Sequence, residues 1–251
     1  MNLNFIKNTL FVCFFFSFFV FFRDFLFALL IRFYDSWVSS FIILPSIFLV
    51  ILLIIKFYIH RSDFIYLKGT KIDFIFLFRI FLLCVCFYIY GQLLYYGLLK
   101  KYDLFNFTKS SEKISFLTFS SIILASLVEE IFFRGFLLHY AINIKVEKKT
   151  FNLVFFSILT SVFFGIAHMR FDLFFYQYFI FSMISSLIFI KSKSLFYPIV
   201  FHFFYNILAI TNLGQVLNIK ELNSINVVVL LTIFLFLVIH QMLKLKYGKT
   251  N

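Results

Sequence analysis

The sequence predicts an all-α fold: a polytopic transmembrane bundle of about eight helices. Three observations predict it. The 251 residues are 63% hydrophobic and 14% charged, against about 45–50% and 25% in soluble domains, with a mean hydropathy of +1.02. A soluble chain needs a polar shell that this composition does not supply, so most of the solvent must be lipid. The chain also holds only 7 Gly and 2 Pro, which leaves its apolar runs long and unbroken.

A spanning helix needs about 20 mostly apolar residues. Eight runs meet this: Leu10–Phe33, Phe41–Tyr58, Ile72–Leu98, Ile114–Tyr140, Phe151–His168, Leu173–Ile190, Leu195–Thr211 and Ile225–Leu245. Polar segments separate them, among them His60–Lys71, Lys100–Lys113 and Lys145–Thr150. The first run follows Lys7 as a signal peptide's apolar region would. It is too long for one, is interrupted by Arg23 and Asp24, and precedes no small-x-small cleavage site, so it reads as an anchor. No Pro/Gly/Ser-rich linker and no internal repeat divides the chain, so residues 1–251 read as one integral membrane domain.

The net charge of +12 does not point to nucleic acid. Lys and Arg lie mostly in the segments between apolar runs, where the positive-inside rule and anionic headgroups account for them. With the N-terminus inside, the inner segments carry Lys7, Arg61, Lys68, Lys71, Lys145, Lys148 and Lys149, and the tail carries Lys244, Lys246 and Lys249. Both termini are therefore expected in the cytoplasm of a multi-pass cell-membrane protein, although the basic segment Lys100–Lys113 falls on the outer side. The abundance of Phe, Ile, Lys and Asn points to an AT-rich, bacterial genome. Cys13, Cys84 and Cys86 lie inside apolar runs with no CxxC pair, and read as small packing residues.

Ionisable groups at membrane depth are costly and usually face a bundle interior or a water cavity. The fourth run contains Glu129-Glu130-Ile131-Phe132-Phe133-Arg134. Glu130 and Arg134 are i, i+4 with Glu first, the favourable order for an ion pair. Glu129 points about 100° away and needs its partner elsewhere. Adjacent carboxylates held away from water are the setting in which a glutamate serves as a general base near neutral pH. Downstream, Phe164 and His168 are i, i+4, as are His202 and Asn206. A glutamate, two histidines and an asparagine from three helices can then meet in a cavity within the membrane. Each also has a plain structural reading. His168 sits near a helix end, His202 and Asn206 would serve as interhelical hydrogen-bond glue, and Glu130 with Arg134 reads mainly as a structural ion pair. Arg23 and Asp24 read as a water-facing kink. The joint occurrence of the motif residues is what favours chemistry.

Glu129-Glu130-x-x-x-Arg134, Phe164-x-x-x-His168 and His202-x-x-x-Asn206, in this order and on membrane helices, resemble the EExxxR, FxxxH and HxxxN motifs of the CPBP (CAAX protease and bacteriocin-processing, or Abi) family. FxxxH arises easily in a Phe-rich chain, whereas EExxxR inside an apolar helix is much more specific. The resemblance covers roughly residues 114–211 as a catalytic core, with no departure at a motif position. It implies an intramembrane endopeptidase that acts on a CAAX-type substrate, or in bacteriocin or pheromone processing. Glu129 would activate a water that His168 helps to orient. His202 and Asn206 would polarise the scissile carbonyl, and Glu130 and Arg134 would support the site. HExxH, GxGD and GxSx motifs are missing from the sequence, which disfavours the other intramembrane protease classes.

The resemblance leaves a metal question open. A metal-free glutamate mechanism, with no cofactor, is favoured. In a zinc version Glu129, His168 and His202 would be the ligands and Glu130 the base, at the cost of its pairing with Arg134. Two other functions compete: a bacteriocin self-immunity or scaffold protein that binds without cutting, and a transporter, which the scarcity of helix breakers disfavours. The expected partners are membrane lipid and a membrane-associated or lipidated peptide.

Overall fold

The computed structural model describes residues 3–30, 72–94, 116–139, 149–168, 174–210 and residue 233. Every regular element among them is helical. The helices are α1 (Leu3–Leu30), α2 (Phe74–Leu94), α3 (Phe116–Glu130), α4 (Lys149–Ala167), α5 (Phe174–Ser192) and α6 (Phe196–Ile210), and α3 continues without a break into a π-helical segment, Ile131–Leu138. Six of the eight predicted spans correspond to these helices. The second, Phe41–Tyr58, and the eighth, Ile225–Leu245 (residue 233 apart), lie outside the described residues. By length and composition, Phe74–Leu93 and Phe175–Ser192 suffice to cross a membrane, while Phe151–Ala167 and Phe196–Ile210 are shorter apolar helices.

The chain divides into two compact units, Met1–Thr70 with Phe116–Ile199, and Lys71–Ser115 with Val200–Asn251. In the first, α4 and α5 form the most extensive helix pair, and the π segment packs on both. Small residues make close packing possible where lipid supplies no hydrophobic drive between helices. Gly165 is the clearest case: a Cβ there would lie 2.7 and 2.9 Å from ring carbons of Phe175. Gly165→Ala is expected to force that ring or its helix aside, at about 1–3 kcal/mol for overpacking, and so to lower the thermal midpoint in detergent. The double change with Phe175→Leu should recover part of the loss. A Gly165→Ala protein melting with the wild type would refute this packing account.

Helix α1 is apolar around its whole circumference, and burial separates its two faces. Val12, Phe16 and Phe19 are buried, while Leu10, Phe14, Phe18, Phe21 and Phe25 are exposed at helical spacing. A helix this apolar with one bare aromatic stripe suits lipid rather than water. Its inner face stacks Phe16 on Phe163 (centroids 4.1 Å, 3° between planes) and Phe19 on Phe132 (3.9 Å). The helix runs unbroken through Arg23 and Asp24, where the sequence suggested a kink: the arginine is satisfied by a partner rather than by a bend.

The turn from α5 to α6 is built by short polar side chains. Lys193 takes a left-handed conformation (φ 52°), and its N–H donates to the Phe189 carbonyl at 2.8 Å. Ser194 Oγ accepts the Phe196 N–H at 3.3 Å and caps the start of α6.

In the second unit α2 pairs with the later part of α6. Phe81 meets Phe204 edge-on at 5.5 Å, Tyr205 packs against Phe87 and Tyr88, and the buried Cys84 thiol donates to the Phe201 carbonyl at 3.7 Å. All three cysteines are free thiols.

Candidate active site

The first unit gathers its polar side chains where α3 becomes the π segment. Glu130 and Arg134 are both fully buried, and Arg134 Nη1 donates to Glu130 Oε1 at 3.1 Å. Neither charge relies on the other alone. Arg134 Nη2 donates to the Ser182 carbonyl (2.8 Å) and lies 2.7 Å from Ser182 Oγ, while Ser185 Oγ donates to Glu130 Oε2 at 2.8 Å. A buried ion pair repays its desolvation only when its remaining donors and acceptors are met; Ser182 and Ser185, themselves buried, meet most of them here. The guanidinium also lies over the Phe164 ring, 5.1 Å from its centroid.

The π segment sets the phase of this motif. His139 N–H reaches the Arg134 carbonyl, five residues back, which is the widened π pattern. The ring of His139 packs edge-on against Phe189. Wide turns of this kind recur at functional sites.

Glu129, one residue before Glu130, is half-buried and faces His168 across 3.7 Å (Glu129 Oε2 to His168 Nε2). His168 follows the last residue of α4, and its N–H closes onto the Gly165 carbonyl at 3.2 Å. Its ring is held on three sides. Nδ1 lies 2.8 Å from the Phe164 carbonyl, the Phe164 ring packs at 4.6 Å, and Tyr178 stacks on it at 4.1 Å with 20° between planes. A carbonyl only accepts, so Nδ1 carries the proton. In the neutral ring Nε2 is then an acceptor, directed at Glu129. Two acceptors 3.7 Å apart are beyond direct hydrogen bonding.

Phe164 thus serves twice: its ring lies against Arg134, and its carbonyl orients His168. From α5, Tyr178, Ser182 and Ser185 lie at i, i+4 and i+7, one face of a helix, and Phe181 of that face packs on Phe164 at 5.7 Å. Sequence reasoning missed all three polar members of this face. Their helical spacing placed them on one face, but nothing in the sequence tied that face to the motif residues.

His202 and Asn206 lie in the second unit, one turn apart on α6; His202 is buried and Asn206 half-buried. Phe201, Phe204 and Tyr205 form the stripe that packs on α2. Each of the two polar residues comes next in the chain after a member of that stripe and so lies about 100° around the helix from it.

A catalytic zinc takes three protein ligands. Glu129 and His168 make a pair, and among the described residues no group of three or more His, Cys, Asp or Glu side chains gathers to hold a metal ion.

Residues 111–208 match a family model described as Type II CAAX prenyl endopeptidase Rce1-like. The match includes all three motifs, and this family lies within the CPBP group that those motifs resemble. Neither a curated protein nor a solved structure matches the chain.

Proposed function

We propose that this Rce1-like chain is a CAAX-type intramembrane endopeptidase that hydrolyses a peptide bond with a glutamate-activated water. The observation that carries the reading is the 3.7 Å approach of Glu129 to His168, beside a buried pair that has no need of either. The water lies between them. As its oxygen attacks the scissile carbonyl carbon, Glu129 takes one of its protons, and His168 Nε2 holds the other and fixes the direction of attack. The resemblance assigns to His202 and Asn206 the donation of hydrogen bonds to the developing oxyanion, each such donor being worth roughly 2.7–4 kcal/mol. Collapse of the tetrahedral intermediate breaks the C–N bond, and Glu129 returns its proton to the leaving amine. No covalent intermediate forms and no cofactor is needed.

The core is residues 114–211, set in a multi-pass bundle of about eight helices with a cavity within the membrane and both termini in the cytoplasm of a bacterial cell. The substrate reaches Glu129 from the bilayer, which favours a prenylated or otherwise lipidated peptide. The matched family's description speaks of an endopeptidase, and no observation favours an immunity or scaffold role. The test is to reconstitute the full chain in lipid vesicles with a farnesylated peptide ending in a CAAX sequence. Peptide N-termini are compared, in parallel, in membranes of cells with and without the protein. Release of the C-terminal tripeptide, or a new N-terminus that depends on the protein, supports the proposal. Neither product from folded protein would end it.

A further inference from the structure

We propose that Arg23 of α1 is a positioning residue for His168, so that a helix outside the matched region completes the site; this rests on the proteolytic reading above. Arg23 Nη1 donates to the Ala167 carbonyl at 2.6 Å, across 144 residues of sequence. Ala167 is the last residue of α4, so its carbonyl is among the four at a helix C-terminus that have no partner within the helix. A cation there also meets the negative end of the helix dipole, and a charged donor makes the bond strong.

The arginine is itself held. Its Nε donates to Asp24 Oδ1 at 2.9 Å, with 22% of the Arg23 side chain exposed, so the guanidinium is oriented and its charge balanced in an apolar setting. Along the same contact Phe16 stacks on Phe163. Positions 16 and 23 of α1 meet 163 and 167 of α4 in the same order, so the two helices run parallel there and the arginine arrives in register with the end of α4. The carbonyl it grips belongs to the peptide bond that leads into His168. Whatever fixes that carbonyl fixes the turn from which the imidazole reaches back to Phe164 and out to Glu129. The aromatic rings set the plane of the imidazole, and Arg23 sets the backbone beneath it.

The experiment uses the full chain in lipid vesicles with a farnesylated CAAX peptide, together with nitrogen-15 NMR of the histidines in detergent, the His168 signals being identified by their loss in His168→Ala. A misplacement of about 1 Å costs up to about 100-fold in rate. Arg23→Gln is therefore expected to lower kcat about 10- to 100-fold with KM little changed, and to broaden or shift the His168 Nδ1–H signal. Arg23→Lys, which keeps the cation, should recover most of both. Arg23→Gln with unchanged kcat and an unchanged His168 signal overturns the proposal. So does a loss that Lys does not rescue and that tracks loss of folded protein, since Arg23 would then be only an anchor. Should the wild type cleave nothing, the proteolytic reading falls separately, and the NMR signal alone decides: a His168 signal indifferent to Arg23→Gln overturns the positioning role.

Discussion

Replacing Glu129 by Gln is expected to abolish peptide cleavage while leaving the amount of protein in the membrane unchanged. Gln preserves the shape of the side chain and one acceptor oxygen, and removes the negative charge and with it the capacity to take a proton. A positioned general base contributes about 10²–10⁴-fold, so the turnover that remains should fall at or below detection. Abundance should hold because the ion pair that braces the helix is Glu130 with Arg134, fully buried, whereas the Glu129 side chain is 26% exposed. The comparison is made at matched expression, by quantitative mass spectrometry of peptide N-termini with wild type and variant. Processing that persists in Glu129→Gln would remove Glu129 from the chemistry.

Arg134→Met should do the opposite, with the protein itself failing to accumulate. The substitution strands Glu130 in a site with no water access and removes the guanidinium that ties Glu130 to Ser182 of α5. Breaking one side of a buried ion pair typically costs about 3–5 kcal/mol, because the surviving charge has nothing to offset it, and that is a large share of a stability of about 5–15 kcal/mol. The pair need not be worth this much in its own right. Glu130→Leu combined with Arg134→Met removes both charges and is expected to be better tolerated than Arg134→Met alone, as buried pairs replaced whole by apolar groups often are. Membrane-fraction yield and thermal midpoint in detergent measure both. Additive losses in the double variant would show that the two residues do not act as a pair.

The parts of this arrangement that depend on local periodicity were legible in the sequence. Long apolar runs locate α2 to α6 to within about four residues, whereas α1 begins seven residues before the run that predicted it, at Leu3 rather than Leu10. The i, i+4 geometry of Glu130 and Arg134 needs only one helix to be drawn, and it held even though the helix widens between them. Everything contributed across helices required the fold. Ser182 and Ser185 look like ordinary small packing residues until α5 is laid against Arg134 and Glu130. Tyr178 is one aromatic among many in a chain with 45 Phe and 14 Tyr, and nothing in its neighbours marks it as the one stacked on His168. Arg23 stands out as a charge in an apolar run, but its partner is a backbone carbonyl, which carries no side-chain signature. The π segment is equally silent, since Ile131–Leu138 contains no residue that an α-helix would refuse.

That last segment changes how insertions and deletions should be read in this stretch of chain. In a loop, losing one residue shortens the path and little else. Within Ile131–Leu138 the wide turns are part of the helix itself, so removing a residue from Gly135–Leu138 would convert the end of the segment back toward an α-helix and rotate the residues beyond it by about 100°. Glu129, Glu130 and Arg134 would keep their spacing as letters. His139 would swing away from Phe189. Two chains that share the motif but differ by one residue just after it would thus be alike as text and out of phase as machines.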